Sequence, residues 1–159
     1  MNADMNEGNA ASGGDLIGGD QLDPRHQRSI DPVEYPHAEL TQQIIAAFFK
    51  VYNTLGYGFL EKVYENAMFH ELSTKGLKVK SQHPITVTYE GVQVGIYYAD
   101  LMVDDQVIVE LKAAEDLCEE HECQLVNYLK ATDKEIGLLL NFGRRPRIKR
   151  KIHTKHYLR

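Results

Sequence analysis

YYADLMVDDQVIVELKA, residues 97–113, decides how this chain folds. It reads as two apolar strands folded back at Asp104-Asp105, yet it sets Asp100, Glu110 and Lys112 among Leu, Val and Ile. A charge within a central strand costs several kcal/mol unless it is paired or holds a metal. Glu110 and Lys112, two apart, share a sheet face. Where Asp100 stands depends on the turn. A two-residue loop opposes Asp100 to Val109 and sends the two acids to opposite faces. A three-residue loop, Asp104 to Gln106, or a bulge, opposes Asp100 to Glu110. Val107, Val109 and Leu111 are expected to face the core with Tyr97, Ala99, Leu101 and Val103, leaving one face to Asp100, Glu110 and Lys112.

Two carboxylates on neighbouring strands repel, and a divalent cation between them turns repulsion into coordination. Oxygen donors with some water retained suit Mg²⁺ or Mn²⁺. Such an ion polarises a phosphoryl oxygen and acidifies a bound water, and Lys112 beside it could orient that water or steady developing charge. The plain alternative is a solvated edge strand with a Glu–Lys surface pair.

Upstream of the hairpin, Leu40, Ile44, Ala47, Phe48 and Val51 recur at three or four residues and predict an amphipathic helix from His37 to Thr54. Gly56-Tyr57-Gly58 ends it. A second helix is expected from Phe59 to about Lys75, with Gly76 ending it in the left-handed conformation. Lys78–Tyr89, Gln93–Val103 and Gln106–Lys112 read as strands joined at Glu90-Gly91 and Asp104-Asp105. Downstream, Asp116 is expected to cap a third helix with Glu119 as its capping-box partner. Ile136–Phe142 is a nearly continuous apolar run, the pattern of a strand buried on both faces. A strand–helix–strand unit over residues 106–142 makes a parallel pair through a right-handed crossover. The fold class is therefore α/β, with a mixed central sheet flanked by helices.

The termini differ in charge. Residues 1–35 carry seven acids and two arginines and lack an apolar period, which predicts a disordered leader. Residues 144–159 carry eight bases and no acid. Within them Arg144, Arg145, Arg147, Lys149 and Arg150 are candidate phosphate contacts, with Ile148 and Ile152 pinning the segment to the domain; a solvated basic terminus is the other reading. The expected organisation is an acidic leader over residues 1–35, a domain over 36–152 and a basic tail over 153–159. No run of roughly 18 apolar residues and no secretory signal is visible, so no membrane span and a cytoplasmic location are expected. Cys118, His121 and Cys123 are read as two ordinary thiols and a histidine on one helix.

Two further motifs carry polar groups. Glu61, Tyr64, Glu65 and Met68 fall on nearly one stripe of the second helix, and His121, Gln124 and Tyr128 do so on the third. Gln124 and Tyr128 could reach a bound water or a phosphate oxygen. Taken together, the chain resembles the GxxExxY family within the PD-(D/E)XK nuclease superfamily, with a RecB-like nuclease core. Gly58-x-x-Glu61-x-x-Tyr64 matches the name-giving motif, Asp100 the first acid, Glu110-Leu111-Lys112 the E-x-K and Gln124-x-x-x-Tyr128 the Q-x-x-x-Y element; Ala99 stands where the superfamily name has Pro.

The resemblance implies a restriction-endonuclease-like αβββαβ core. It implies a metal, Mg²⁺ or Mn²⁺, held by Asp100, Glu110 and the Leu111 carbonyl, with Glu61 joining the shell. Lys112, Gln124 and Tyr128 would complete the catalytic set. The expected activity is hydrolysis of phosphodiester bonds in nucleic acid, with DNA as the substrate and any helicase partner a separate chain. A non-catalytic nucleic-acid-binding or assembly module on the same fold is the competing class.

Overall fold

The computed structural model describes residues 36–154, and the expected acidic leader and the last five residues lie outside them. Three helices and five strands follow in the order α1 (Ala38–Leu55), α2 (Glu61–Thr74), β1 (Val79–Tyr89), β2 (Val92–Val103), β3 (Val107–Lys112), α3 (Glu119–Ala131), β4 (Ile136–Asn141) and β5 (Arg147–Ile152). The strands form one sheet in the order β1-β2-β3-β4-β5. β3 and β4 run parallel and the other neighbours antiparallel. Among the described residues no helix is long and apolar enough to cross a membrane.

The sheet carries a core on each face. On one, Ile44, Phe48, Val51, Tyr64, Met68 and Leu72 of α1 and α2 meet Leu101, Val103, Val109, Leu111, Leu138 and Leu140. On the other, Leu125, Tyr128 and Leu129 of α3 meet Ile85, Ala99, Met102, Ile108 and Leu139. Both β3 and β4 are thus covered on two sides, and each fully buried Leu or Ile contributes roughly 1.5–3 kcal/mol. This corrects the expectation of one apolar face and one charged face. Glu110 and Lys112 share their side of β3 with Ile108, so the charged residues stand beside a second core.

The hairpin turn is the three-residue one. Val103 pairs with Val107 and Leu101 with Val109, leaving Asp104, Asp105 and Gln106 in the loop. Asp104 and Asp105 both take positive φ, 51° and 55°, a conformation Asp tolerates better than most residues. Two hydrogen bonds between Asp104 and Lys78 tie the start of β1 to this turn: the Lys78 N–H donates to Asp104 Oδ1 at 2.8 Å and the Asp104 N–H to the Lys78 carbonyl at 2.8 Å.

Three expectations on these elements change. Ala99 packs against the α3 side while Leu101 packs against α1 and α2, so strand alternation resets at Asp100 and Tyr97 also turns toward α3. Opposite the reset, Gln82 sits at φ 50° between the pairs Ser81↔Leu101 and His83↔Ala99. The cap of α3 is Cys118, not Asp116; its N–H donates to His121 Nδ1 at 3.3 Å, because residues 113–118 run as an irregular link before the first helical turn. Finally, the basic segment forms a fifth strand over Arg147–Ile152, antiparallel to β4.

Beyond the Leu101↔Val109 pair, β1 and β2 continue as a two-stranded arm past the edge of β3. Tyr89, Val92, Val94, Ile96, Tyr97 and Tyr98 are all exposed on it.

Candidate active site

The ladder between β2 and β3 stops at Leu101↔Val109, and the gap it leaves holds the two acids. Asp100 Oδ2 accepts the Leu111 N–H at 2.7 Å, and Glu110 Oε1 accepts the Asp100 N–H at 3.2 Å. Each carboxylate therefore takes a backbone donor from the opposite strand where the ladder has ended. Asp100 reaches edgewise into the gap, which is why its neighbours Ala99 and Leu101 face opposite ways. The same bond pins the Leu111 backbone beside the acids while the Leu111 side chain is buried with α1 and α2.

The electrostatics of the pair are strained. Burial, the Asp100 charge and the nearby Glu61 push the Glu110 carboxyl up to about 8, against weaker opposition from the Asp100 N–H and Lys112. Asp100 is also raised, first by burial and then by Glu65 and Glu61, with the Leu111 N–H and Lys112 opposing. Glu61 itself is exposed at the first turn of α2, near enough to act on both acids.

The glycine motif before α2 serves to aim that turn. Gly58 has φ 105°, closed to L side chains without strain. The Tyr64 hydroxyl donates to the Gly56 carbonyl at 2.8 Å and accepts the Phe59 N–H at 3.2 Å. Its ring stacks on Phe142 at 4.2 Å, so Tyr64 clamps the Gly56–Phe59 loop to the core and sets where Glu61 begins its helix.

On the α3 side, Lys112 Nζ donates to Gln124 Oε1 at 3.2 Å, and Gln124 Nε2 donates to the Tyr128 hydroxyl at 2.8 Å. Burial holds the Tyr128 phenol above its usual range, with Gln124 opposing and the Glu110 and Asp100 charges adding to the rise. Asp100, Glu110, Lys112, Gln124 and Tyr128 thus meet at one place, from β2, β3 and α3.

Three neighbours extend the set. Glu65, 4% exposed, accepts Lys62 Nζ at 2.8 Å, Gln82 Nε2 at 2.9 Å and the Ser81 hydroxyl. Burial pushes its carboxyl up, but these donors outweigh burial and hold it below its usual range. Gln82 Nε2 also lies 3.5 Å from Asp100 Oδ1, a long contact linking Glu65 to the acid pair. Glu65 shares the helical stripe of Glu61, so its face was legible in sequence; Gln82 gave no signal, since its place follows from the break in β1. Asn141, fully buried, grips both backbone groups of Ala114 at 3.0 Å each and anchors the chain just past Lys112.

The basic candidates separate. Arg144 and Arg145 are exposed in the β4–β5 loop, with the Arg144 guanidinium 5.8 Å over the Tyr57 ring. Arg147 is exposed and pairs with Asn141, which pairs with Lys112, so all three lie at the site's end of the sheet. Lys149 instead lies 3.7 Å from Glu122 of α3, and Arg150 donates to the Thr41 hydroxyl of α1 at 3.2 Å. These two occupy opposite sides of β5, not one strip. Ile148 packs on the core, whereas Ile152 is 41% exposed.

A family model described as the PD-(D/E)XK nuclease superfamily matches residues 38–153. The chain belongs to the PD-(D/E)XK nuclease superfamily. No match was found among curated proteins or among solved structures. The observed mixed sheet between helices is the restriction-endonuclease-like form of this superfamily. Among the described residues no group of three His, Cys, Asp or Glu side chains forms a ready-made metal cage. The donor set nonetheless suits a hard divalent cation: two close carboxylates, both raised by burial and by neighbouring negative charge.

Proposed function

We propose that the chain is a divalent-metal-dependent nuclease that hydrolyses phosphodiester bonds in DNA, of the GxxExxY group through Gly58, Glu61 and Tyr64. The observation that carries this reading is the pair of backbone bonds across the opened ladder, Leu111 N–H to Asp100 and Asp100 N–H to Glu110, with Lys112 tethered beside them. A domain freed from catalysis has no need of a buried Glu110 beside a half-buried Asp100 whose charge opposes its own.

Asp100, Glu110 and the Leu111 carbonyl would hold Mg²⁺ or Mn²⁺, with Glu61 adding charge from α2. The ion, when bound, supplies polarisation of a phosphoryl oxygen and a more acidic water. Gln124 occupies one direction of the Lys112 ammonium, whose remaining protons can orient the attacking water or steady charge on the phosphate. Because Tyr128 accepts its hydrogen bond from Gln124, its own hydroxyl proton can be directed at a phosphate oxygen. Arg144, Arg145 and Arg147 would guide the phosphate chain toward this end of the sheet.

The test is nicking of supercoiled plasmid in Mg²⁺, Mn²⁺ or EDTA. Cutting is expected with metal and not in EDTA, and Lys112→Ala should lower it by at least about 100-fold, within the usual range for positioned proton-transfer or charge-stabilising groups. DNA binding without metal-dependent cutting would replace this reading with the non-catalytic binding module.

A further inference from the structure

We propose that the groove between α3 and the β1–β2 arm binds one unpaired nucleobase, so that the preferred substrate is single-stranded next to the cleaved phosphate. The inference rests on the nuclease reading for the kind of polymer, and on the groove for its strandedness. The groove has a volume of about 680 Å³, within the size range of ligand pockets. Val87 and Tyr97 of the arm form one wall, and Asn127, Tyr128 and Ala131 of α3 form the other.

Continuity with the acid site selects the occupant. Gln124 and Tyr128 line the groove, and Gln124 also holds Lys112 at 3.2 Å. A molecule seated there is therefore contiguous with whatever lies at Asp100 and Glu110. The lining includes one acid, Glu120, and one base, Lys130, a balance that suits an uncharged base better than a second phosphate. Tyr97 is 53% exposed, with its ring 5.9 Å from that of Tyr128 and tilted 45° to it, so the Tyr97 ring offers surface for stacking. The Asn127 amide, which offers both donors and an acceptor, is exposed at the wall to meet a base edge. A base inside a duplex is stacked and paired, and extracting it costs a few kcal/mol; an unpaired base enters without that cost.

The experiment compares binding of a labelled single-stranded oligodeoxynucleotide and its blunt duplex to the full chain in Ca²⁺, with plasmid and single-strand cutting measured in Mn²⁺. A single 2-aminopurine in the oligonucleotide reports stacking by its fluorescence. The single strand should bind at least about tenfold more tightly than the duplex, and its 2-aminopurine should be quenched. Tyr97→Ala should weaken single-strand binding by about 5- to 150-fold, the range of one aromatic–base stack, and abolish the quenching. Tyr97→Phe, which keeps the ring, should retain both. Equal affinity for single strand and duplex, or indifference to Tyr97→Ala, would overturn the proposal, and metal-dependent cutting in that case would leave the nuclease reading intact. If Tyr97-dependent single-strand binding survives with no cutting of either substrate, the groove stands and the nuclease reading falls.

Discussion

At the scale of single residues, the acid pair makes the sharpest demand. Glu110 is raised to about 8 from an ordinary 4.5, so the folded state holds its proton more tightly than the unfolded chain does. Without metal, the stabilisation from that proton is complete below about pH 4.5 and is lost as pH rises through about 8. Asp100→Asn keeps an acceptor for the Leu111 N–H and removes the neighbouring charge. In EDTA at about pH 8 the variant should be as stable as the wild type or more stable by on the order of 1 kcal/mol, the worth of about one pKa unit. At about pH 5 the difference should shrink. Mn²⁺ should raise the wild-type melting temperature by mass action and affect the variant far less. Melting curves at both pH values, with EDTA or Mn²⁺, decide this. A variant that melts lower in EDTA while metal moves neither protein would make Asp100 a structural partner and end the metal-site assignment.

At the scale of elements, β5 shows where sequence pattern runs out. Arg147-Ile-Lys-Arg-Lys-Ile152 has two apolar residues and four bases, and reads as tail because its pairing to β4 comes from backbone groups that carry no side-chain signature. The strand also separates bases of different use. Arg144, Arg145 and Arg147 lie at the site's end, whereas Lys149 and Lys151 pair with Glu122. Replacing the three arginines with Ala should weaken DNA binding equally across sequences and reduce the salt slope by up to about 0.9 for each phosphate that is no longer neutralised. Lys149→Ala should change the slope less. An unaltered slope in the triple variant would make the loop arginines bystanders. The helices and the buried β4 were legible because their periods match their burial: Ile44, Ala47, Phe48 and Val51 line the inner side of α1, and every residue from Ile136 to Asn141 is buried. The start of α3 was not, since Asp116 and Cys118 are both followed three residues later by a polar partner, and only packing chose between them.

At the scale of the whole molecule, the two cores close among residues 36–154, and residues 1–35 show no apolar period. Deleting residues 1–35 should therefore move the melting temperature by no more than about 2 °C, equivalent to well under 1 kcal/mol for a domain this size; a drop of several degrees in a thermal melt would show that the leader contributes to the fold. By itself the sequence determined the kinds and order of the elements from helix α1 to strand β4, and it singled out Asp100, Glu110, Lys112, Gln124 and Tyr128. Those follow from local period and from charges set where a strand cannot easily hold them. Tertiary structure alone decided that the β2–β3 ladder opens at Leu101, that Asp100 reaches edgewise, that Gln82 joins Glu65 to the acids and that Tyr97 turns toward α3. Periodicity records which way a side chain faces within a regular element. It carries nothing about where regularity ends, because that point is set by backbone partners on other strands, and the acid pair occupies such a point.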